Sequence, residues 1–230
     1  MAKIKFLLFF IIFTIIFFDT KTAARAEGFD PNNIISDWEI TDYGAMDLSD
    51  IQKFLETKGS FLASYSCPDA FGMTRKASEI IYNAAWKNFD CDGQGLSDNP
   101  TDEEKNLKCR KVTINPKFLL VLLQKEQSLI EESSPSQKNL DWATGYGCPD
   151  TGGCNSRWQG FGKQVNSAAL QFRDYMDRPE LYTYKVGGAY TVRNTNRPDS
   201  VIAPANLATA ALYNYTPHVY NGNFNFYKIW

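Results

Sequence analysis

Apolar positions recur at helical spacing in several separate stretches of this chain of 230 residues. The clearest is Asn115–Ile130, NPKFLLVLLQKEQSLI, in which Asn115 caps the free N–H groups and Pro116 takes the first helical position, where a missing donor costs nothing. Its interior is apolar from Phe118 to Leu123. At about 100° per residue, Leu119, Leu122, Leu123, Leu129 and Ile130 share one arc with Glu126 near its middle, while Gln124, Lys125 and Ser128 point the other way. A carboxylate aimed into the apolar side of a buried helix is costly unless it is protonated, paired or used. Glu126 is therefore the position to explain.

Other elements follow from the same patterning. Ser49-Asp50-Ile51-Gln52 reads as a capping box, opening a helix that runs to about Thr57 and stops at Gly59. Thr74 is placed to cap a second helix with Ala77, Ile80, Ile81, Ala84 and Ala85 on one face. Phe161, Val165, Ala168, Ala169, Phe172 and Met176 mark a third, ended by Arg178-Pro179, and Pro204 and Asn206 open a last one, LATAALYNY, stopped by Pro217. Leu181–Ile202 alternates like short strands, with turns at Gly187-Gly188 and Asn194-Thr195-Asn196. Between helices, Gly28–Gly44 is turn-rich, 131–139 is polar and broken by Pro135, and Leu140–Gln164 is a loop rich in glycine and aromatics. The aromatic tail from His218 to Trp230 is expected to fold back on the domain. These patterns predict an α+β fold, mostly α, with a small β element.

The first residues change the picture of compartment. Lys3 and Lys5 precede an apolar run, Phe6–Phe18, and Ala24-Arg25-Ala26 has a small-x-small pattern, so residues 1–26 read as a secretory signal with Glu27 as the mature N-terminus. The run falls short of the ~20 residues that span a bilayer, so no stable membrane insertion is expected once the signal is removed; an uncleaved anchor is the alternative. The expected location is secreted, periplasmic or at the cell surface. The remainder divides into a helical N-terminal subdomain, 27–110, and a second region, 111–230. A net charge of −2 leaves no electrostatic reason to hold nucleic acid. Aromatic residues make up 14% of the chain, and Tyr, Trp and Asn crowd its second half, which suits contact with sugars as well as ordinary packing.

Five cysteines in an oxidising compartment suggest two disulfides and one residue left over. Cys148 and Cys154 bracket a Pro-Asp-Thr-Gly-Gly turn and are the first expected pair; Cys91–Cys109 is the second. Cys67 is then unpaired, with a bridge to Cys91 or Cys109 as the alternative. The stretch Asn88–Pro100 places Asn88, Asp90 and Asp92 like the first ligands of a calcium loop, with Gly93 at the turn. Asn99 stands where a bidentate Glu is needed, so a disulfide-tied loop is the expectation and no metal is assigned.

The single histidine, His218, prunes the catalytic options. A zinc hydrolase needs two or three histidine ligands, and a Ser-His-Asp hydrolase would show a Gly-x-Ser-x-Gly elbow. A Cys-His peptidase would need Cys67 as a thiolate, yet Cys67-Pro68 lies in a turn with nothing to stabilise one. Glu126 then has two readings. It is a structural carboxylate paired with Lys or Arg from another element, or it is a general acid. Glycosidic cleavage needs such an acid, because the leaving sugar oxygen must be protonated as an oxocarbenium-like state develops.

Three motifs in order bear on that choice: Glu126 on its helix, a Gly-aromatic loop ending in GFGKQ at Gln164, and Tyr213-Asn214 in AALYNY. The order resembles goose-type lysozymes and soluble lytic transglycosylases, and the whole mature chain is also similar to secreted domains of bacterial surface proteins. The resemblance spans roughly Asn115–Pro217. It implies a lysozyme-like helical fold for the second region, with Glu126 as the catalytic acid. Gln164 and Asn214 would bond N-acetyl sugars, and Tyr213 would sit beside Glu126 and hold it. The substrate implied is peptidoglycan or a related N-acetyl-sugar polymer, with no cofactor. Trp142, Tyr146 and Trp158 are candidate sugar platforms. Asp141 and Asp150 are candidates for a second carboxylate, each also explained by a turn. A lone acid/base fits lytic transglycosylation, in which the substrate's own hydroxyl attacks; a second carboxylate fits hydrolysis. Departures are Gln127 after the Glu where transglycosylases prefer Ser, a longer Glu-to-Gln gap filled by the disulfide loop, and Tyr215-Thr216 in place of Ala-Gly. The alternative function is a catalytically inactive glycan-binding or adhesion domain on the same fold.

Overall fold

A computed structural model describes residues 28–91, 93–97, 100–149 and 151–230. The signal segment, Asp92 and Asn99 of the acidic loop, and Asp150 lie outside the described residues. The fold is α+β, mostly α. In chain order the elements are α1 (Asp37–Thr41), α2 (Leu48–Thr57), β1 (Ser66–Pro68), β2 (Thr74–Lys76), α3 (Ala77–Trp86), β3 (Asn88–Asp90), α4 (Asp102–Lys108), β4 (Arg110–Val112) and α5 (Pro116–Gln127). There follow α6 (Gln137–Asp141), α7 (Phe161–Asp177), β5 (Tyr190–Val192), β6 (Ser200–Ile202), α8 (Leu207–Tyr215) and α9 (Phe224–Ile229), the last preceded by a π-turn at Val219–Asn223. The strands form three separate antiparallel pairs, β1 with β2, β3 with β4 and β5 with β6.

Helix α5 starts as its sequence requires. The Asn115 side chain accepts from Lys117 N (2.8 Å), and its amide nitrogen donates to Glu39 O (2.8 Å), tying the cap to α1. Phe118 to Leu123 are all buried. The helix ends sooner than the apolar arc predicts, because Ser128 adopts a left-handed conformation (φ 57°) and its N–H returns to Gln124 O. Leu129 and Ile130 are still buried, but the turn rather than the helix brings them inward. Phe118 packs on Phe172 of α7 (4.6 Å between centroids) and on Phe226 of α9 (5.1 Å), so the aromatic tail does fold back. Buried residues from both sides of position 110 share one hydrophobic cluster.

Several boundaries differ from the expectation. The box that opens α2 is Asp47 with Asp50, two residues before Ser49, each side chain bonding the other's backbone N–H. Thr74 caps no helix, because Thr74–Lys76 pairs with Ser66–Pro68, and α3 starts after it. Helices α4 and α6 lie in stretches read as loop. Both are short, lack a broad apolar face and depend on a hydroxyl cap, Thr101 to Glu104 N and Ser136 to Asn139 N. Disulfides join Cys91 to Cys109 and Cys148 to Cys154, as their spacing predicts, and Cys67 is free and buried. Both bridges are compatible with an extracellular location.

Candidate active site

Glu126 occupies the last turn of α5, with its side chain 23% exposed. The surprise is its neighbour. Lys125 does not point away; its side chain is only 7% exposed, and Nζ sits 2.5 Å from Glu126 Oε1 and 2.9 Å from Thr216 Oγ1, just beyond α8. An ammonium is favoured at a helix C-terminus, where the last carbonyls are unpaired. The other carboxylate oxygen, Oε2, faces Gly145: a Cβ built on that glycine would lie 3.5 Å from it. Gly145 has φ +72°, so the turn calls for glycine, and the missing side chain leaves that side of the carboxylate uncovered.

The loop carrying Gly145 is fixed by Gln164, which is fully buried on the first turn of α7. Its Oε1 accepts from Thr144 N (3.3 Å), Thr144 Oγ1 (3.1 Å) and Tyr146 N (3.0 Å), and its Nε2 donates to Tyr146 O (2.9 Å) and Trp158 O (2.8 Å). No amide hydrogen remains for a sugar. Gln164 thus shapes the wall of the site instead of lining a cleft, which corrects the role implied by resemblance.

The Tyr-Asn pair is corrected in the same way. Tyr213 is fully buried, and its hydroxyl donates to Pro31 O (2.9 Å), remote from α5 in sequence. Asn214 bonds both backbone groups of Tyr184, accepting from N and donating to O at 2.9 Å each. The tyrosine whose environment includes the Glu126 charge is Tyr215. Its hydroxyl donates to Thr144 O (2.8 Å). Burial, with the Glu126 charge adding to it, pushes its phenol well above the ordinary range, against the pull of the Thr144 bond. Two residues on a helix are about 200° apart, so Tyr213 and Tyr215 serve opposite sides of α8.

The aromatic candidates are divided between two hollows. Trp142 lines one of ≈310 Å³ together with Gly145, Gln127, Asn139 and the Cys148–Cys154 bridge. Gln127 Oε1 accepts from Asn139 Nδ2 there (2.9 Å), closing one side of it. Tyr146 and Trp158 meet edge to face at 5.2 Å and line a separate hollow of ≈290 Å³ with Phe71, Phe89 and Arg157. Glu126 itself lines neither of these hollows, and the larger ones on other faces have neither Glu126 nor Gly145 in their lining. Asp141 accepts from two amides, Oδ1 from Gln137 Nε2 (2.9 Å) and Oδ2 from Gln159 Nε2 (2.7 Å), bracing α6 against the segment before α7.

The thiol alternative loses its footing. Burial pushes the Cys67 thiol up, only partly offset by the hydrogen bond with Tyr65, which is the opposite of a reactive thiolate. His218 Nδ1 lies 3.2 Å from Arg193 O. Among the described residues, no group of three or more His, Cys, Asp or Glu is placed to hold a metal ion, and no helix is long and apolar enough to cross a membrane. The chain matches no family model, no curated protein and no solved structure. Its chemistry has to be read from the site.

That site is Glu126, Lys125, Gly145, Tyr215 and Thr216. Sequence reasoning found only the first. Gly145 had a visible signal, a glycine inside ATGYG, whereas Lys125 and Thr216 meet only through the packing of α5 beside the end of α8.

Proposed function

We propose that this protein is a secreted, lysozyme-like enzyme that cleaves the glycan strand of peptidoglycan, with Glu126 as the general acid and base. One observation carries the reading: Glu126 is half anchored and half open, Oε1 held by Lys125 and Oε2 facing the side-chain-free Gly145, beside the ≈310 Å³ hollow that Trp142 lines. In this reading the protonated form of Glu126 gives its Oε2 proton to the glycosidic oxygen as the C–O bond breaks. The Lys125 ammonium then stabilises the carboxylate left behind. Glu126 next takes a proton from the attacking hydroxyl. Acting alone, such an acid/base fits lytic transglycosylation, in which the substrate's own hydroxyl attacks and a 1,6-anhydro end forms; a second carboxylate would fit hydrolysis. Two disulfides support an oxidising compartment, where the polymer would be met.

A second reading also has an observation behind it. A Lys125–Glu126 pair at 2.5 Å, its ammonium nearly out of water, is what a purely structural ion pair looks like, and it would suit a glycan-binding domain without activity. The replacement Glu126→Gln separates the two. Clearing of cell-wall suspensions and product masses should fall by roughly 10²–10⁴-fold in rate if Glu126 transfers the proton. Equal clearing by both proteins would end the catalytic reading, and peptidoglycan pull-down with no soluble fragments from either would establish the binding one.

A further inference from the structure

On the face of α5 away from the Lys125–Glu126 pair, a hollow of ≈520 Å³ lies between α2, α5 and α9. That volume falls within the range of about 300–1,000 Å³ typical of small-molecule sites. Its floor is aliphatic, Leu120, Val121 and Ile130, and it is flanked by the rings of Phe54 and Trp230. Its rim is basic: Lys58, Lys117 and Lys228 line it with a single acidic side chain, Glu131, in a chain whose net charge is −2. Among the described residues none of these lysines forms an ion pair. Each is laid over a ring instead, Lys117 over Trp230 at 4.0 Å, Lys228 over Phe224 at 4.9 Å and Lys58 over Phe54 at 5.8 Å. The nearby Glu39, which accepts from Trp230 Nε1 (3.4 Å), feels Lys117 but is already committed to Ser36, whose backbone N–H and hydroxyl both bond it.

The polar atoms in the lining narrow the ligand. Gln124 is largely engaged: Oε1 accepts from Ile130 N (3.1 Å) and Glu131 N (3.2 Å), and one of the two Nε2 hydrogens goes to Glu131 Oε2 (2.9 Å). The lining therefore offers a single amide hydrogen and no hydroxyl, too few polar groups to read a sugar or a peptide backbone. What remains is an apolar trough with cations at its edge. We propose that this hollow binds a single-chain aliphatic carboxylate, the chain on Leu120, Val121 and Ile130 and the head group at the lysines. The site is separate from Glu126 and does not depend on the glycan-cleaving reading.

The test is a ¹H–¹⁵N titration of the full chain with decanoate, decyltrimethylammonium and decyl maltoside, each below its micelle concentration. The Trp230 indole and the backbone amides of Leu120, Val121 and Ile130 are the reporters. Saturable shifts confined to these signals are expected with decanoate, at an affinity about tenfold or more above the cationic and neutral chains. The triple replacement Lys58→Gln, Lys117→Gln and Lys228→Gln removes exposed charges only; the rest of its spectrum should stay in place while decanoate binding falls to the level of decyl maltoside. Equal shifts from all three amphiphiles, an unmoved Trp230 indole, or undiminished binding by the triple variant would overturn the proposal. So would concentration-dependent shifts of the same signals without amphiphile, which would mean that a second copy of the chain fills the trough.

Discussion

Two disulfide-tied regions of this protein are held in opposite ways. The loop around Cys148–Cys154 leans on one buried neutral amide, Gln164, that bonds the backbone of Thr144, Tyr146 and Trp158. The region closed by Cys91–Cys109 leans on charge near the surface. Arg110 bonds Asp90 at 3.0 Å and also Asp177, and Glu104 bonds Ser97 and Lys108. Exposed ion pairs are individually worth little, because water and salt screen them and long side chains lose entropy when fixed. A buried amide works differently, since each partner it loses is left without a hydrogen bond. Of the two, only the buried amide can hold a precise geometry. The loop facing Glu126 has the rigid support, and the hairpin from β3 to β4 does not need it.

The largest effect should come from removing that support. Gln164→Leu keeps the volume and the helix but strands the N–H groups of Thr144 and Tyr146 and the carbonyls of Tyr146 and Trp158. With unsatisfied buried groups costing about 1–3 kcal/mol each, and some of these four reached by water, the expected loss is about 3 kcal/mol. Urea denaturation measures the total, and hydrogen exchange at Thr144 and Tyr146 locates it. A loss below 1 kcal/mol, as an exposed pair would give, would break the contrast between the regions.

A smaller and more local effect is expected at Gly145. Replacement by Ala forces a left-handed conformation on a residue with a side chain, at about 1–2 kcal/mol. The new methyl would sit 3.5 Å from Glu126 Oε2, in ordinary contact, covering the open side of the carboxylate without displacing it. If the chain cleaves glycan as proposed, the rate should therefore fall by roughly a hundredfold, more than the stability loss explains, while Gly147→Ala is a control of another kind. There a Cβ would lie 2.5 Å from Trp158 Cδ1, so that change disturbs the wall and not the carboxylate. If Gly145→Ala folds and retains full activity, Oε2 is not the reacting oxygen.

These residues also show how far the sequence could be read. Local signals survived intact: the Asn115-Pro116 start of α5, the apolar spacing of α7, the Asn206 cap of α8 and both short cysteine spacings. The failures share one cause. Lys125 belongs to the polar side of an ideal helix, yet at the last turn its long stem carries the ammonium back to Thr216, a residue 91 positions away. Gln164 was singled out correctly as a residue, but its partners are its own loop, because burial to 0% exposure leaves no room for a ligand. Tyr213 and Tyr215 differ by half a turn of α8, and only the helix's orientation decides which of them meets α5. Helix periodicity fixes faces; it does not say what each face will meet.

The finest test of the contrast is acid. The Glu104 carboxyl is held at about 2, below its ordinary 4.5, chiefly by the Ser97 hydroxyl (2.6 Å), then by Ser97 N (3.0 Å) and Lys108 (3.0 Å). A carboxyl lowered on folding supports the native state above its ordinary value, and that support fades as the pH falls through 4.5 toward about 2. Gln164 carries no proton to gain. The Ser97 amide should therefore titrate with a midpoint near 2, and Glu104→Gln should abolish that transition, whereas the Thr144 and Tyr146 amides should show no transition of their own there. A Ser97 midpoint near 4.5 would mean that Ser97 and Lys108 do not hold the carboxylate in solution. Transitions shared by all three amides would mean that the two regions unfold as one unit, with the buried amide giving its loop no independence from the charged hairpin.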